Sequence, residues 1–371
     1  MLLQRLLLLF ILSPLFCQSQ DNPVDSLATT ETKALYHNLK QSRTKGFLFG
    51  HQDDLAYGVN WKYVEGKSDC KTTAGDYPGI YGWELGRLEL DQSQNLDGVP
   101  FESMRRFIVR SFESGGVITI SWHLNNPLTG KSAWDPAPGT VTAILPGGSQ
   151  HDVYKSWLDK VAYFLNSLKT DRGVMVPVIF RPFHELNGSW FWWGKNHCSP
   201  AELKTLYQFT ETYLRNDKNL HHLLFAFNTD KFYSKEEYME RYPGDEWVDV
   251  VGFDIYQRTN DQQVFFKEFD TMLGLMDSIA DEHKKIPALT EFGYGGLPVA
   301  NWWTTTFSNA MVNHNMAYAL AWRNAGKKEG GEMEFYIPYE GQLSEADFRK
   351  FHDTGKGLFL KQAAKQNLYR K

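Results

Sequence analysis

Short runs of apolar, β-branched and aromatic residues recur along this chain, separated by longer stretches in which apolar positions return every three to four residues. The strand-like runs are Phe47–Gly50, Ile80–Trp83, Val117–Trp122, Val176–Phe180, Leu223–Phe227, Val248–Phe253, Ile286–Thr290 and Tyr318–Trp322. Short stretches that are apolar nearly throughout read as strands buried on both faces. Between several of them the period is helical. Trp157, Leu158, Val161, Phe164, Leu165 and Leu168 share one face, and Phe269, Met272, Leu273, Met276 and Ile279 share another. A helix suggested over Phe101–Glu113 meets a stop signal at Gly115-Gly116. Strand candidates alternating with crossover-length helices predict an α/β fold, a single (β/α)8 barrel. A doubly wound open sheet is the alternative, weakened because no Gly-rich phosphate loop follows the first run.

In such a barrel the working face is made from the C-terminal ends of the strands and the loops that follow. Just past each run stand His51, Glu84, His123, His184-Glu185, Asn228, Asp254 with Tyr256, Glu291, and Arg323 beside Trp322. Polar or ring residues at every strand end are hard to attribute to packing alone. The fourth position is the most distinctive: Val176 to Phe180 runs without a spacer into Arg181-Pro182-Phe183-His184-Glu185 and then Trp190, Phe191, Trp192 and Trp193. Indole rings stack on sugar faces, and apolar walls raise a glutamic acid's pKa so that it can donate a proton near neutrality. A core strand with Glu185 merely salt-bridged to Arg181 is the plainer reading. Glu291, after the seventh run, supplies a second carboxylate. Strands four and seven lie roughly across an eight-stranded barrel. Retaining glycoside hydrolysis needs two carboxyl groups about 5–5.5 Å apart. Of the three rings Phe191, Trp192 and Trp193, at least one is expected in the core.

Composition adjusts this picture modestly. The 371 residues are 42% hydrophobic and 22% charged, and the formal net charge of −5 has no long like-charge run. That disfavours a nucleic-acid or anionic-membrane partner and suits a neutral substrate. Twelve Trp, 18 Tyr and 25 Phe exceed what one core plausibly needs, so a stacking surface is one outlet. Residues 1–19 read as an export signal, too short in its apolar part for a spanning helix, with residues 20–371 as the catalytic domain. Cys17 closes the apolar part as in lipid-anchored bacterial proteins, although Phe16 before it is bulkier than usual. Periplasmic or extracellular placement, with or without a lipid on Cys17, is therefore expected. Export permits disulfides, and Cys70 and Cys198 are predicted to pair.

At the strand-four and strand-seven residues the chain resembles glycoside hydrolase family 26. The resemblance runs from Phe49-Gly50-His51-Gln52 to Ala321-Trp322-Arg323. It is most specific in Arg181 to Gly188, Trp192-Trp193-Gly194 and Thr290-Glu291-Phe292-Gly293. Members of that family are chiefly β-mannanases, with a minority acting on mixed-linkage β-glucan or β-1,3-xylan. The resemblance implies Glu185 as acid/base and Glu291 as nucleophile. It further implies Tyr256 as a hydrogen-bond donor to the nucleophile, Trp322 as the floor beneath the sugar and Trp190 as the ring beside the acid/base. His123 and Arg323 match positions on the non-reducing side of the substrate, with His184 next to the acid and Trp134 as another platform. Glu84 and His51 are well located without a firm role. The expected partner is β-mannan, acted on by a monomer with no cofactor and no metal.

Two rivals follow from the same residues. A metal-dependent hydrolase would draw ligands from His51, His123, His184 and Asp254. A carbohydrate-binding barrel without activity would need some lesion other than loss of Glu185, Glu291 or Tyr256.

Overall fold

In the computed structural model, which describes residues 22–328 and 330–370, all eight predicted runs are strands. They are β1 (Phe47–Gln52), β2 (Ile80–Glu84), β3 (Val117–Trp122), β4 (Val178–Pro182), β5 (Leu223–Thr229), β6 (Val250–Gln257), β7 (Ile286–Tyr294) and β8 (Tyr318–Ala321). Each pairs in parallel with its sequence neighbours, and β8 pairs with β1, so the sheet closes into a barrel. A short strand, Gly357–Leu358, continues the edge of β1 at Phe47 and Leu48, before β2 takes over at Gly50. Of all the barrel strand residues only Tyr256 is not fully buried, as expected of parallel strands covered on both faces.

Helices form where the pattern placed them. After α1 (Thr30–Ser42), α2 spans Phe101–Glu113 and ends before Gly115-Gly116. In α3 (His151–Asn166) Trp157, Leu158, Val161, Phe164 and Leu165 are all buried. The Ser199–Glu202 capping box and Pro200 start α4 (Pro200–Thr212). Asp261 accepts hydrogen bonds from Gln263 N and Val264 N to start α5 (Gln262–His283), whose Phe269, Met272, Leu273, Met276 and Ile279 face inward. Among the described residues no helix is long and apolar enough to cross a membrane. The segment 1–19 and Cys17 lie outside the described residues.

The two-residue period of each strand turns the barrel interior into a graded column. At its N-terminal end Leu48, Ile80, Val117 and Ile179 join Leu35, Tyr36 and Leu39 of α1 in an apolar plug. Every second residue upward becomes polar: Ile179 gives way to Arg181, Leu224 and Ala226 to Asn228, Val250 to Gly252, Asp254 and Tyr256. On β7 the alternation is broken on purpose. Phe253 faces Leu289 but Asp254 faces Glu291, and β8 shows the same slip between Ala319 and Ala321. The extra residue is Thr290, whose hydroxyl donates to Asp254 at 2.7 Å. A bulge of this kind re-aims a side chain, and here it accompanies Glu291 at the mouth.

The predicted disulfide does not form. Cys70 and Cys198 are both free thiols. Cys70 is buried in a short helix after β1, whereas Cys198 follows β4, three strands around the barrel. Its thiol donates to the Trp193 carbonyl at 3.4 Å. A disulfide requires Cα atoms within about 7 Å, and two loop-like cysteines carry no information about that.

Candidate active site

A cleft of about 400 Å³ opens at the C-terminal mouth of the barrel. It brings together His123, Trp134, His184, Glu185, Trp190, Tyr256, Glu291 and Trp322 from the sequence-based expectation. Phe191, Asp230, Lys231, Arg258 and Tyr336 complete the lining. Trp192 and Trp193 are fully buried core rings, as expected for part of that run.

The two glutamates converge. Oxygens of Glu185, Asp254 and Glu291 lie within 4.8 Å of one another. Their surroundings differ in kind. Glu291 accepts from Arg181 at 2.6 Å and from the Tyr256 hydroxyl at 2.8 Å, so both oxygens are held. Arg181 also reaches Asp254 at 3.7 Å and donates to the side-chain Oδ1 of Asn228. It therefore serves Glu291 rather than Glu185, contrary to the plainer sequence reading. Burial, with the Glu291 carboxylate close by, keeps the Tyr256 hydroxyl protonated well beyond its usual range. Among the described residues Glu185 has one side-chain donor, Trp190 Nε1 at 2.6 Å. Burial first, then the negative charges of Glu291 and Asp230, push its pKa up to about 8.

The backbone that presents Glu185 is unusual. Phe183 (φ 55°) and Glu185 (φ 51°) both adopt the left-handed conformation without being glycine. Such residues cost about 1–3 kcal/mol each and persist where surrounding contacts over-determine them. Here Trp193 Nε1 donates to the His184 carbonyl at 2.9 Å and Gly188 N to the Glu185 carbonyl at 2.9 Å.

A second file of polar groups borders the cleft. Glu84 is wholly buried and does not line it. Instead it accepts from Ser121 Oγ at 2.6 Å, His123 N at 2.7 Å and His123 Nδ1 at 2.8 Å. Burial opposes charge on His123, but Glu84 outweighs it and raises that imidazole. His184, depressed by burial and then by His123 and Arg181, stays neutral. The 3.1 Å contact between their Nε2 atoms is accordingly assigned with His123 as donor. Trp134 stacks on His123 at 5.3 Å with its ring 49% exposed, which leaves a face free for a ligand. Arg323 lies outside the lining, paired with Asp97 and, at 3.1 Å, with Glu334. His51 is buried and bonded to Asp54 at 2.8 Å.

Asp230 and Lys231 directly follow β5, two and three residues beyond Asn228, so reading further past that strand would have found them. Arg258 is likewise two residues past Tyr256. Tyr336 lies in the long loop after β8, two residues beyond a short strand at Met333–Glu334, and leaves no periodic signal.

The metal-hydrolase set is not assembled. Among the described residues the one group of three close ligand atoms is Glu185, Asp254 and Glu291, without a histidine. The positive charge between two of these carboxylates is already supplied by Arg181.

Residues 24–298 match the model of glycosyl hydrolase family 26. A mannan endo-1,4-β-mannosidase of Bifidobacterium adolescentis is 32% identical over 94% of the chain, which spans 36% of that longer protein. One from Bacillus subtilis is 27% identical over 68% of the chain and 71% of its own length. Among solved structures, a family 26 β-mannanase from Bacteroides ovatus superimposes with a TM-score of 0.88 at 43% identity, covering 92% of this chain and 98% of that one.

Proposed function

The chain belongs to glycosyl hydrolase family 26, and from that premise we propose that it cleaves β-1,4-mannosidic bonds of mannans by a retaining double displacement. One observation carries the reading: two glutamates meet within 4.8 Å, one held by Arg181 and Tyr256, the other walled by rings and raised to about 8. Glu185, protonated at neutral pH, gives its proton to the glycosidic oxygen. Glu291, aimed by its two donors, attacks the anomeric carbon and forms a glycosyl-enzyme. Glu185, now a base, takes a proton from water as it displaces Glu291. The spacing suits direct attack, since inverting enzymes hold their carboxyls about 6.5–9.5 Å apart.

Trp134, Trp190 and Trp322 are the stacking platforms of this reading, and His123 and His184 the polar contacts to sugar hydroxyls. Glu84 acts through His123. Export by residues 1–19 would bring a monomeric enzyme to its polysaccharide. The test is a reducing-end assay on linear mannan, with the anomer of the first product followed by NMR. The β-anomer should appear first, and Glu185→Ala and Glu291→Ala should each lose about 10³-fold or more in kcat. Initial release of the α-anomer, or near-normal turnover in either variant, would overturn the proposal.

A further inference from the structure

Glu185 is poorly anchored by its own side chain. Its one side-chain donor, Trp190, is itself 39% exposed and so cannot fix the carboxyl by itself. The left-handed backbone at Phe183 and Glu185 stores strain that tends to relax the turn. Two residues on, Asn187 makes a bond in each direction. Its Nδ2 donates to the Lys231 carbonyl at 2.8 Å, and its Oδ1 accepts from Asp230 N at 2.7 Å. Both partners are backbone groups of the segment after β5, whose side chains line the same cleft. That segment is in turn moored to α5, because Lys231 Nζ meets Glu268 at 2.9 Å and Tyr233 donates to Glu268 at 2.9 Å. A chain of contacts thus runs from a long helix through Lys231 and Asn187 to the loop of the acid. A side-chain amide offers both a donor and an acceptor at this reach, and alanine offers neither.

We propose that Asn187 is a positioning residue for the proton donor, clasping the segment after β5 so that Glu185 keeps its place over the scissile bond. This rests on Glu185 being the acid/base. In kcat/KM, which reports the step that forms the glycosyl-enzyme, a misplaced acid harms only substrates that need leaving-group protonation, whereas general damage to the cleft harms all of them.

The experiment therefore compares kcat/KM on linear mannan with kcat/KM on a dinitrophenyl β-mannobioside, whose leaving group departs without a proton. In Asn187→Ala the first should fall about 10²-fold, while the second changes by less than about threefold. Asn187→Asp keeps the acceptor for Asp230 N and loses the donor. It should show the same split at smaller amplitude, and it carries the test if the alanine variant does not fold. Equal losses on both substrates, or no loss on either, would overturn the clasp. If Glu185→Ala shows the split and the Asn187 variants do not, this inference alone fails. If Glu185→Ala shows none, the acid assignment fails with it.

Discussion

Two buried carboxylate clusters sit at the same end of this barrel, each with an arginine, and only one of them faces the cleft. In the first, Asp254 and Glu291 pair with Arg181, which is 1% exposed, and Glu185 lies beside those two carboxylates. In the second, Asp97, Glu334 and the neighbouring Asp53 surround Arg323, which is 22% exposed. Asp53 resembles Glu185 in being left-handed and raised, by burial first and then by Asp97, yet Tyr57 donates to it at 2.6 Å and it does not line the cleft. Burial of charge therefore does not identify the site. What distinguishes the first cluster is asymmetry under one opening: one carboxylate bound by two donors, another with its pKa raised to about 8, and aromatic walls beside them. A buried pair that is merely satisfied contributes little net stability; one left uneven over a cleft can do chemistry.

Replacing each arginine is the strongest way to break that contrast. Arg181→Met leaves Glu291 and Asp254 facing each other in the interior and should cost about 3–5 kcal/mol of stability, with a large loss of kcat. Arg323→Met removes a partly solvated partner, should cost about 1–2 kcal/mol, and should spare kcat far more than Arg181→Met does. Urea unfolding and steady-state kinetics on both variants decide it. Comparable losses of kcat would show that the two clusters do equivalent work.

The pH dependence sharpens the same point. In the proposed mechanism the proton-bearing form of Glu185 is the active one, and its raised pKa keeps that form populated at neutrality. On mannan, kcat/KM should therefore hold through neutral pH and fall as pH rises through about 8. That limb should vanish on the dinitrophenyl substrate. A limb that persists there, or one that begins near an ordinary carboxylate pKa, would count against an acid tuned by burial and by Glu291 and Asp230.

The smallest effect concerns the thiols. Because Cys70 and Cys198 are unpaired, a reducing agent should shift Tm by less than about 1 °C, whereas breaking a native disulfide typically costs about 2–5 kcal/mol. A larger drop, measured by scanning calorimetry, would reveal a cross-link.

Much of the site was legible because it lies at strand ends. The runs before Glu185, Tyr256 and Glu291 mark strands heading for the mouth, with Tyr256 and Glu291 lying within the C-terminal halves of β6 and β7. A parallel barrel gathers all such ends together. Asp230, Lys231 and Arg258 were within reach of the same logic, extended by two or three residues. Tyr336 was not, since it returns from a loop whose path no periodicity encodes. Nor could composition tell that Arg181 chooses Glu291 over its near neighbour Glu185, because that choice depends on which way β4 turns after Pro182.

The amino-acid order alone determined the alternation of strands and helices, the barrel class and the pair of glutamates, because hydrophobic period and strand-end position are local properties read along the chain. Folding in three dimensions decided the rest: the Thr290 bulge that aims Glu291, the left-handed turn at Glu185, the separation of the two thiols, and the enclosure of Arg323 by Asp97 and Glu334. Each of these depends on which distant segments come within a few ångströms, and contact across the barrel leaves no trace in sequence spacing.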